Sequence, residues 1–541
     1  MLASQSAPRG GVVPVSRRVM NLAHMLTQAA RRLPGRAALV AGDVVIDWAT
    51  LDARVGALAA ALAARGVRKG DRILVHSRNS PELVLTQFAA FRLGAVWVPT
   101  NFRIAPDEAA WLAQSSGTSV LFVQAEFAGH VAAVRAAASA PLLVVGMDAG
   151  APGDVSLATL LAEGEGRAMR DADVEADDPC WFFFTSGTTG KPKAAVLTHG
   201  QMGFVITNHL ADLMPGLREH TDASLVVAPL SHGAGIHFLV QVARGVKTVL
   251  TDPMRFDAEE VWSLIERHRI TNLFTVPTIV NMMVDDPALD RHDHGSLRHL
   301  IYAGAPMYRE DQKRALARLG KVLVQYFGLG EVTGNITVLP PDLHSLEDDG
   351  RPNTCGYARS AMQISIQDEQ GRELAPGEQG EICVCGPAVF AGYYDNPVAN
   401  EKAFRNGWFR TGDLGMLDAQ GFLTITGRAS DMYISGGSNV YPREIEEKVL
   451  THPAIAEVAV LGMPDRRWGE VGLMICVAAP GARIAADDLL AWMTPLMARY
   501  KLPRRILFWD ELPRSGYGKI AKRLIRERLQ SLGEWPSIDA G

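Results

Sequence analysis

Cysteine is scarce in this chain: five in 541 residues, at Cys180, Cys355, Cys383, Cys385 and Cys476. The number is odd and no CxxC spacing occurs, which argues against a disulfide framework and against a structural zinc site. Cys383 and Cys385 alternate in "GEICVCG" and read as packing thiols on one face of a strand. Long hydrophobic runs are lacking too. No window supplies the roughly 20 apolar residues of a membrane-spanning helix, and "MLASQSAPRGGVVPVSRR" has no continuous apolar core of the secretory kind. A reducing, cytoplasmic setting is therefore expected, with residues 1–20 as a loose arm. Charge of either sign is not in excess: the net of −5 offers no basic domain for nucleic acid. HExxH and GxSxG are absent, so metalloprotease and serine-hydrolase chemistry lack their usual spelling.

What is present describes a globular protein, 48% apolar and 21% charged, too long for one core. "AALVAGDVVIDW" predicts a hairpin about Gly42-Asp43, and "TLDARVGALAAALAARG" a helix stopped by Gly66. Ser80 as N-cap, Pro81 in the first turn and Gly94 as stop frame a second helix. "RILVHS", "AVWVP", "SLVVAPL", "TNLFTVP", "LRHLIYAG" and "KVLVQYFG" are short apolar strands between helical segments. That alternation predicts an α/β fold with much parallel sheet and ligands beyond the strands' carboxyl ends. From about Ala361 the pattern turns to alternating residues around turns, a β-rich subdomain. After "GRASD" a compact α+β segment follows. A boundary at Ser430-Asp431 gives a large domain over 21–430 and a small one over 431–541.

The stretch "FFFTSGTTGKPKAAVLTHG" (182–200) falls from an aromatic strand into Ser, Thr and Gly and returns as a strand. It is not GxxxxGK[ST], and Pro192 pushes Lys191 toward extended backbone rather than a helix start. Hydroxyls of Thr185, Ser186, Thr188 and Thr189, with Lys193, suit an anion, while Gly187 and Gly190 let the backbone approach it. On composition alone, a flexible surface hairpin is the plainer alternative.

"TSGTTGKPK" resembles the signature of the adenylate-forming superfamily: acyl-CoA synthetases, peptide-synthetase adenylation domains and beetle luciferases. "APLSHGAG", "YAGAPM", "QYFGLGE", "GWFRTGDLG", "GRASDMYISGGSNVYPREIE", "GMPDRRWGE" and "PRSGYGKI" follow in that family's order and span nearly the whole chain. The resemblance implies a large N-terminal α/β domain of several subdomains with a small mobile C-terminal α+β domain. It implies ATP-dependent activation of a carboxylic acid to an acyl-adenylate, then transfer to coenzyme A.

By the same resemblance, the 185–190 loop and Lys193 hold the β- and γ-phosphates. Phe327 faces adenine, with Gly328 beside it and "AGAP" (Gly304, Ala305 and Pro306 within it) alongside. Glu331 is the magnesium-contacting carboxylate, with Thr185 next to it. Asp413 grips the ribose, and Arg428 makes a second ribose or phosphate contact. His232 lies beside the acyl carboxylate, while His237 is left as a structural residue. Lys519 reaches the carboxylate and α-phosphate, and Gly436 and Gly437 border the pantetheine channel after the small domain rotates about Ser430.

Three positions depart from the pattern. Gly330 stands where Thr is usual, a hydrogen bond worth roughly 0.5–1.5 kcal/mol unless Thr333 supplies it. Ala194 replaces a usual Gly, and Ser430 a usual charged hinge residue. The acyl pocket, drawn from "SHGAGIHF", "FTVPTIVNMM" and "IYAGAPM", reads as small and apolar. It favours an apolar monocarboxylic acid, aliphatic ahead of aromatic. The alternatives are an aryl-acid ligase, transfer to a carrier protein or to oxygen, and a non-catalytic nucleotide-binding relative. No nucleic acid or membrane span is expected, and a homodimer is allowed for.

Overall fold

In the computed structural model the described residues are 15–167, 169–185, 191–252, 254–305, 307–347, 354–514 and 520–535. Their strands form sheets of fourteen, seven and five strands. The local signals act as expected at the start. Gly42, at φ +56°, turns the antiparallel hairpin Ala37–Ala41 and Val44–Asp47. Asp47 then caps the helix Trp48–Ala64, accepting from the Thr50 amide at 2.7 Å. Ser80 accepts from the Leu83 amide at 3.2 Å to open the helix Pro81–Leu93, and Gly94 closes it in the left-handed region.

The seven-stranded sheet carries Arg72–His76 between Val96–Pro99 and Val120–Val123, all parallel. Near one end Pro179–Thr185 pairs antiparallel with Lys193–Thr198. The fourteen-stranded sheet places Ala223–Val226, Asn272–Thr275, His299–Tyr302 and Leu323–Phe327 side by side and parallel. These strands are buried on both faces, which is why they read as unbroken apolar runs.

The β-rich segment anticipated from residue 361 has no sheet of its own. Thr337–Leu339 and Thr354–Ala358 pair antiparallel after Leu323–Phe327, and Phe422–Arg428, Trp408–Leu417, Gly380–Cys385 and Gln363–Gln367 continue the same sheet. Alternation marked these strands correctly but carried no information about their partners. Within Gly380–Cys385, Cys383 is buried and Cys385 half-buried.

The large sheet's last strand in sequence ends at Arg428, and the five-stranded sheet begins with Tyr433–Ser435. Its centre is the antiparallel pair Ile455–Asp465 and Gly469–Ala478. Alternate residues serve two cores. Val458, Val460, Met474 and Cys476 pack with Ile445 and Val449 of the helix Pro442–Val449. Ala459, Leu461, Leu473 and Ile475 pack with Ile525 and Leu529 of the helix Lys522–Ser531. A one-residue slip would exchange the two faces, so the register is fixed by burial worth roughly 1.5–3 kcal/mol per large side chain.

Arg514 ties this domain to the large one. Its guanidinium donates to Glu457 at 2.7 Å and to Thr278 Oγ1, on the helix Pro277–Asp285, at 3.3 Å. Tyr308 of the large domain lies near the helix Pro442–Val449. Burial pushes its phenol well up, and the charge of Glu446 adds to that.

Candidate active site

The strand Pro179–Thr185 ends at the site. Thr185 Oγ1 donates to Glu331 Oε1 at 2.8 Å, and the Tyr393 hydroxyl donates to the same oxygen at 2.9 Å. Glu331 is only 6% exposed, so its carboxylate is desolvated and held by these two neutral donors. Burial, with the Glu331 charge beside it, raises the Tyr393 phenol, which therefore stays protonated at neutral pH. Lys193 opens the return strand with its ammonium 4.6 Å from the Tyr393 ring centre, and Lys191 sits 4.0 Å over Trp111. Ser186, Gly187, Thr188, Thr189 and Gly190 lie outside the described residues. Tyr393 is a residue beside Glu331 that sequence reasoning missed: "AGYYDNP" spells no motif, and backbone pairing of residues 391–394 with the return strand brings it there.

Gly330 is explained by its neighbours. An added Cβ would stand 2.7 Å from the Phe183 ring and 2.9 Å from Thr185 Cγ2. A threonine would collide with the side chain that holds Glu331, so glycine here keeps the Thr185–Glu331 contact intact. Thr333 does not supply the missing hydroxyl: it is buried, and its Oγ1 donates to the Val332 carbonyl at 2.6 Å. Ala194 is buried on the return strand.

Phe327 ends its strand half-buried against the main core. Gly328 follows, pressed so closely on Gly334 that an added Cβ would stand 2.4 Å from the Gly334 Cα. Arg359, fully buried, holds this turn from behind, donating to the Gly334 carbonyl at 3.4 Å and to Asn335 Oδ1 at 2.9 Å. Gly304, at φ +84°, and Ala305 follow the strand His299–Tyr302, and Pro306 lies outside the described residues.

Asp413 and Arg428 face each other across antiparallel strands, with Arg428 Nε donating to Asp413 Oδ1 at 2.8 Å. Burial raises the Asp413 carboxyl, against the pull of Arg428. The guanidinium of Arg428 is held charged first by Asp413, with the charges of Asp431 and Glu331 adding to that. Ser430 donates to Asp431 at 3.3 Å, and Asp431 lies 3.9 Å from Lys522 of the small domain.

His232 precedes the helix Gly233–Arg244, its ring 4.3 Å from that of Phe183. The pocket expected behind it is less apolar than its letters suggested. His237 is buried, and among the described residues neither ring nitrogen has a hydrogen-bond partner; nor do Gln241 Oε1, Thr248 Oγ1 and Thr275 Oγ1. Burial lowers the His237 imidazole to about 3, so it is neutral.

One expected group stands apart, and another lies outside the described residues. Gly436 and Gly437, at φ +58° and +83°, make the two-residue turn of the hairpin Tyr433–Ser435 and Ser438–Val440 in the small domain. Gly436 packs on Trp468 there, and no hydrogen bond among the described residues links the turn to Glu331. Lys519 lies outside the described residues; Arg514 and Ile520, which bracket it, form an antiparallel bridge.

Among the described residues no cluster of three His, Cys, Asp or Glu could hold a metal ion. Among the described residues Glu331 offers a carboxylate oxygen donor at the start of the loop, with the Thr185 hydroxyl beside it. A Mg²⁺ bound by one carboxylate and the oxygens of a nucleotide fits that donor set.

Residues 26–394 match the family of AMP-binding enzymes, and residues 444–519 match the AMP-binding enzyme C-terminal domain. The chain is 37% identical over 502 residues to a feruloyl-CoA synthase of Amycolatopsis sp, covering 92% of this chain and 97% of that protein. It is 34% identical over 518 residues to a long-chain-fatty-acid–CoA ligase of Mycobacterium tuberculosis, covering 94% and 99%. ATP-bound MatB from Rhodopseudomonas palustris superposes with a TM-score of 0.84 at 30% identity, over 95% of this chain and all of that one.

Proposed function

Because the chain belongs to the AMP-binding enzymes, we propose that it joins a monocarboxylic acid to coenzyme A at the expense of ATP. The acid's carboxylate oxygen attacks the α-phosphorus of ATP, pyrophosphate leaves, and an acyl-adenylate forms. The thiol of coenzyme A then attacks the acyl carbon, and AMP leaves.

The observation that carries this reading is the meeting of Thr185, Glu331 and Tyr393 with the Asp413–Arg428 pair nearby. In this reading Asp413 binds the ribose hydroxyls, Phe327 covers the adenine, and Arg428 turns from Asp413 toward ribose or phosphate. Glu331, positioned by its two donors, holds the Mg²⁺. Such an ion would supply positive charge against the phosphate oxygens. Lys193 and the 185–190 loop receive the β- and γ-phosphates, and His232 orients the acyl carboxylate. Lys519 enters from the small domain to neutralise charge as oxygen and phosphorus join. The division at Ser430-Asp431 lets that domain turn between the two steps, after which Gly436 and Gly437 line the path of the thiol.

The test is ATP–pyrophosphate exchange over a panel of carboxylic acids, followed by thioester formation with free coenzyme A. Exchange with at least one acid and thioester from it is the expected result. No exchange with any acid overturns the reading; exchange without thioester moves the acceptor to a carrier protein.

A further inference from the structure

A buried cation lies behind the turn that carries Glu331. Arg359 is 1% exposed and spells no motif. Burial lowers its guanidinium to about 10, so it stays charged at neutral pH. Its ion-pair partner is Asp212, whose Oδ2 stands 3.6 Å from Arg359 Nε. Asp212 ends the helix His199–Asp212 and accepts from the Ser360 amide at 2.9 Å, the Ser360 hydroxyl at 2.8 Å and Asn208 Nδ2 at 3.0 Å. The other guanidinium nitrogens reach the Gly334 carbonyl, Asn335 Oδ1 and, at 3.2 Å, His209 Nδ1. Burial first, and then the Arg359 charge, push the His209 imidazole well below its ordinary value, so it is neutral and can accept. Asn335 is fixed to the same helix, donating to Asn208 Oδ1 at 3.0 Å.

Stability does not call for a charge here, because a well-packed apolar pair is often as stable as a buried ion pair. What an apolar side chain cannot do is hold several groups in fixed directions, as the planar guanidinium does. Those groups belong to two segments that the site must keep in register. The helix His199–Asp212 follows directly on Lys193–Thr198, the strand that returns from the 186–190 loop. Gly334 closes the turn, its amide donating to the Leu329 carbonyl at 3.1 Å across Gly330, Glu331 and Val332. Tyr326 also presses on Gly334, where an added Cβ would stand 2.4 Å from its ring. The turn is thus gripped by a ring and a guanidinium, with little room to shift.

Resting on the ligase reading above, we propose that Arg359 is a positioning residue for the magnesium-contacting carboxylate, tying the Glu331 turn to the helix that follows the phosphate loop. Thr185 and Tyr393 fix the carboxylate oxygen itself. Arg359 fixes the backbone that carries it. Being buried, it acts through Gly334 and Asn335 rather than on a ligand. Asp212 and His209 hold the guanidinium in the direction that this task requires.

The test is calorimetric binding of ATP to the full-length protein, with Mg²⁺ and with EDTA in its place. Arg359→Leu alone strands Asp212 and should lower the melting temperature. Arg359→Leu with Asp212→Asn removes both charges and should restore most of it. In that double variant the tightening of ATP binding by Mg²⁺ should be about tenfold smaller than in the wild type, with affinity in EDTA little changed. If the double variant also melts low, Arg359→Lys carries the same comparison, since it keeps the charge against Asp212 and loses the fork. Equal weakening with and without Mg²⁺ marks a role in packing alone and overturns the proposal. A variant that keeps the full magnesium gain, or a wild type whose ATP binding ignores Mg²⁺, overturns it as well. Failure of the ligase reading shows elsewhere: no pyrophosphate exchange with any acid sinks that reading, while a magnesium gain lost in the variant would still assign Arg359 its role.

Discussion

Thr185 and Glu331 are 146 residues apart in the chain and joined by a 2.8 Å hydrogen bond. The bond closes a junction between the seven-stranded and fourteen-stranded sheets, and Tyr393 fixes the same carboxylate oxygen from a third segment. Glu331→Gln keeps an oxygen for both donors but removes the charge that would hold Mg²⁺. Adenylation should fall about 10²–10³-fold with the fold retained. Tyr393→Phe removes one positioning bond and should cost tenfold or less, about 0.5–1.5 kcal/mol. Exchange rates across a magnesium titration separate the two; equal losses would contradict the division of roles.

Gly330→Thr restores the usual letter of the family pattern and should nonetheless harm the protein. The new side chain meets Phe183 and Thr185, and overpacking of that kind costs about 1–3 kcal/mol. Thermal unfolding should shift down, and Phe183→Leu in the same chain should recover part of the shift. A gain in activity with unchanged melting would show the contact to be soft.

Asp413 is 5% exposed and its carboxyl is raised by burial, so the folded state resists its ionisation. A raised acid contributes stability at low pH and loses it as pH rises through the folded-state value. Asp413→Asn should therefore melt at or above the wild type at neutral pH, with the difference shrinking on acidification. ATP binding should weaken at the same time, measured by calorimetry. Unchanged ATP affinity would remove the ribose role.

Buried histidines set the response to acid. Burial lowers His76 and His237 to about 3 and His199, His299 and His344 to about 4. The unfolded chain, with histidine near 6.5, takes up these protons first. Stability is therefore complete above 6.5 and is lost as pH falls from there toward about 4, at about 1.4 kcal/mol per pH unit for each proton. Urea midpoints measured at pH 7, 6 and 5 should decline steadily. A flat or rising series would contradict neutral burial.

Lys519→Ala should abolish pyrophosphate exchange and spare thioester formation from supplied acyl-adenylate. Arg514→Ala, which frees Thr278 and Glu457 from their shared donor, should lower exchange more than thioester formation. Equal losses in both half-reactions would refute an adenylation-specific role for this segment.

The parallel strands were legible because burial on both faces makes them unbroken apolar runs, and the cap at Ser80 because one side chain and one amide decide it. Glu331, Asp413 and Arg428 could be named from motif spelling, but not their pairings. Asp413 with Arg428 depends on strand register, and Thr185 with Glu331 on two sheets meeting. Tyr393 was invisible because its role comes from a tertiary bridge rather than from any local pattern. His237 reads as a structural residue in the sequence, and an apolar neighbourhood there says nothing about whether a buried imidazole has found a partner. That the β-rich segment continues the large sheet was not legible, because alternation reports which side of a strand is buried, not which strand lies beside it.

The continuity of the large sheet decides where the chain can be cut. One ladder of hydrogen bonds runs from the hairpin at residues 37–47 through to Phe422–Arg428. A fragment ending near residue 361 would strip Phe422–Arg428 from Thr354–Ala358 and present a raw strand edge, a template for aggregation. A fragment ending near residue 430 breaks no strand pairing of the large sheet. Soluble halves of this protein, for reconstitution or for exchange of small domains between relatives, should be divided there.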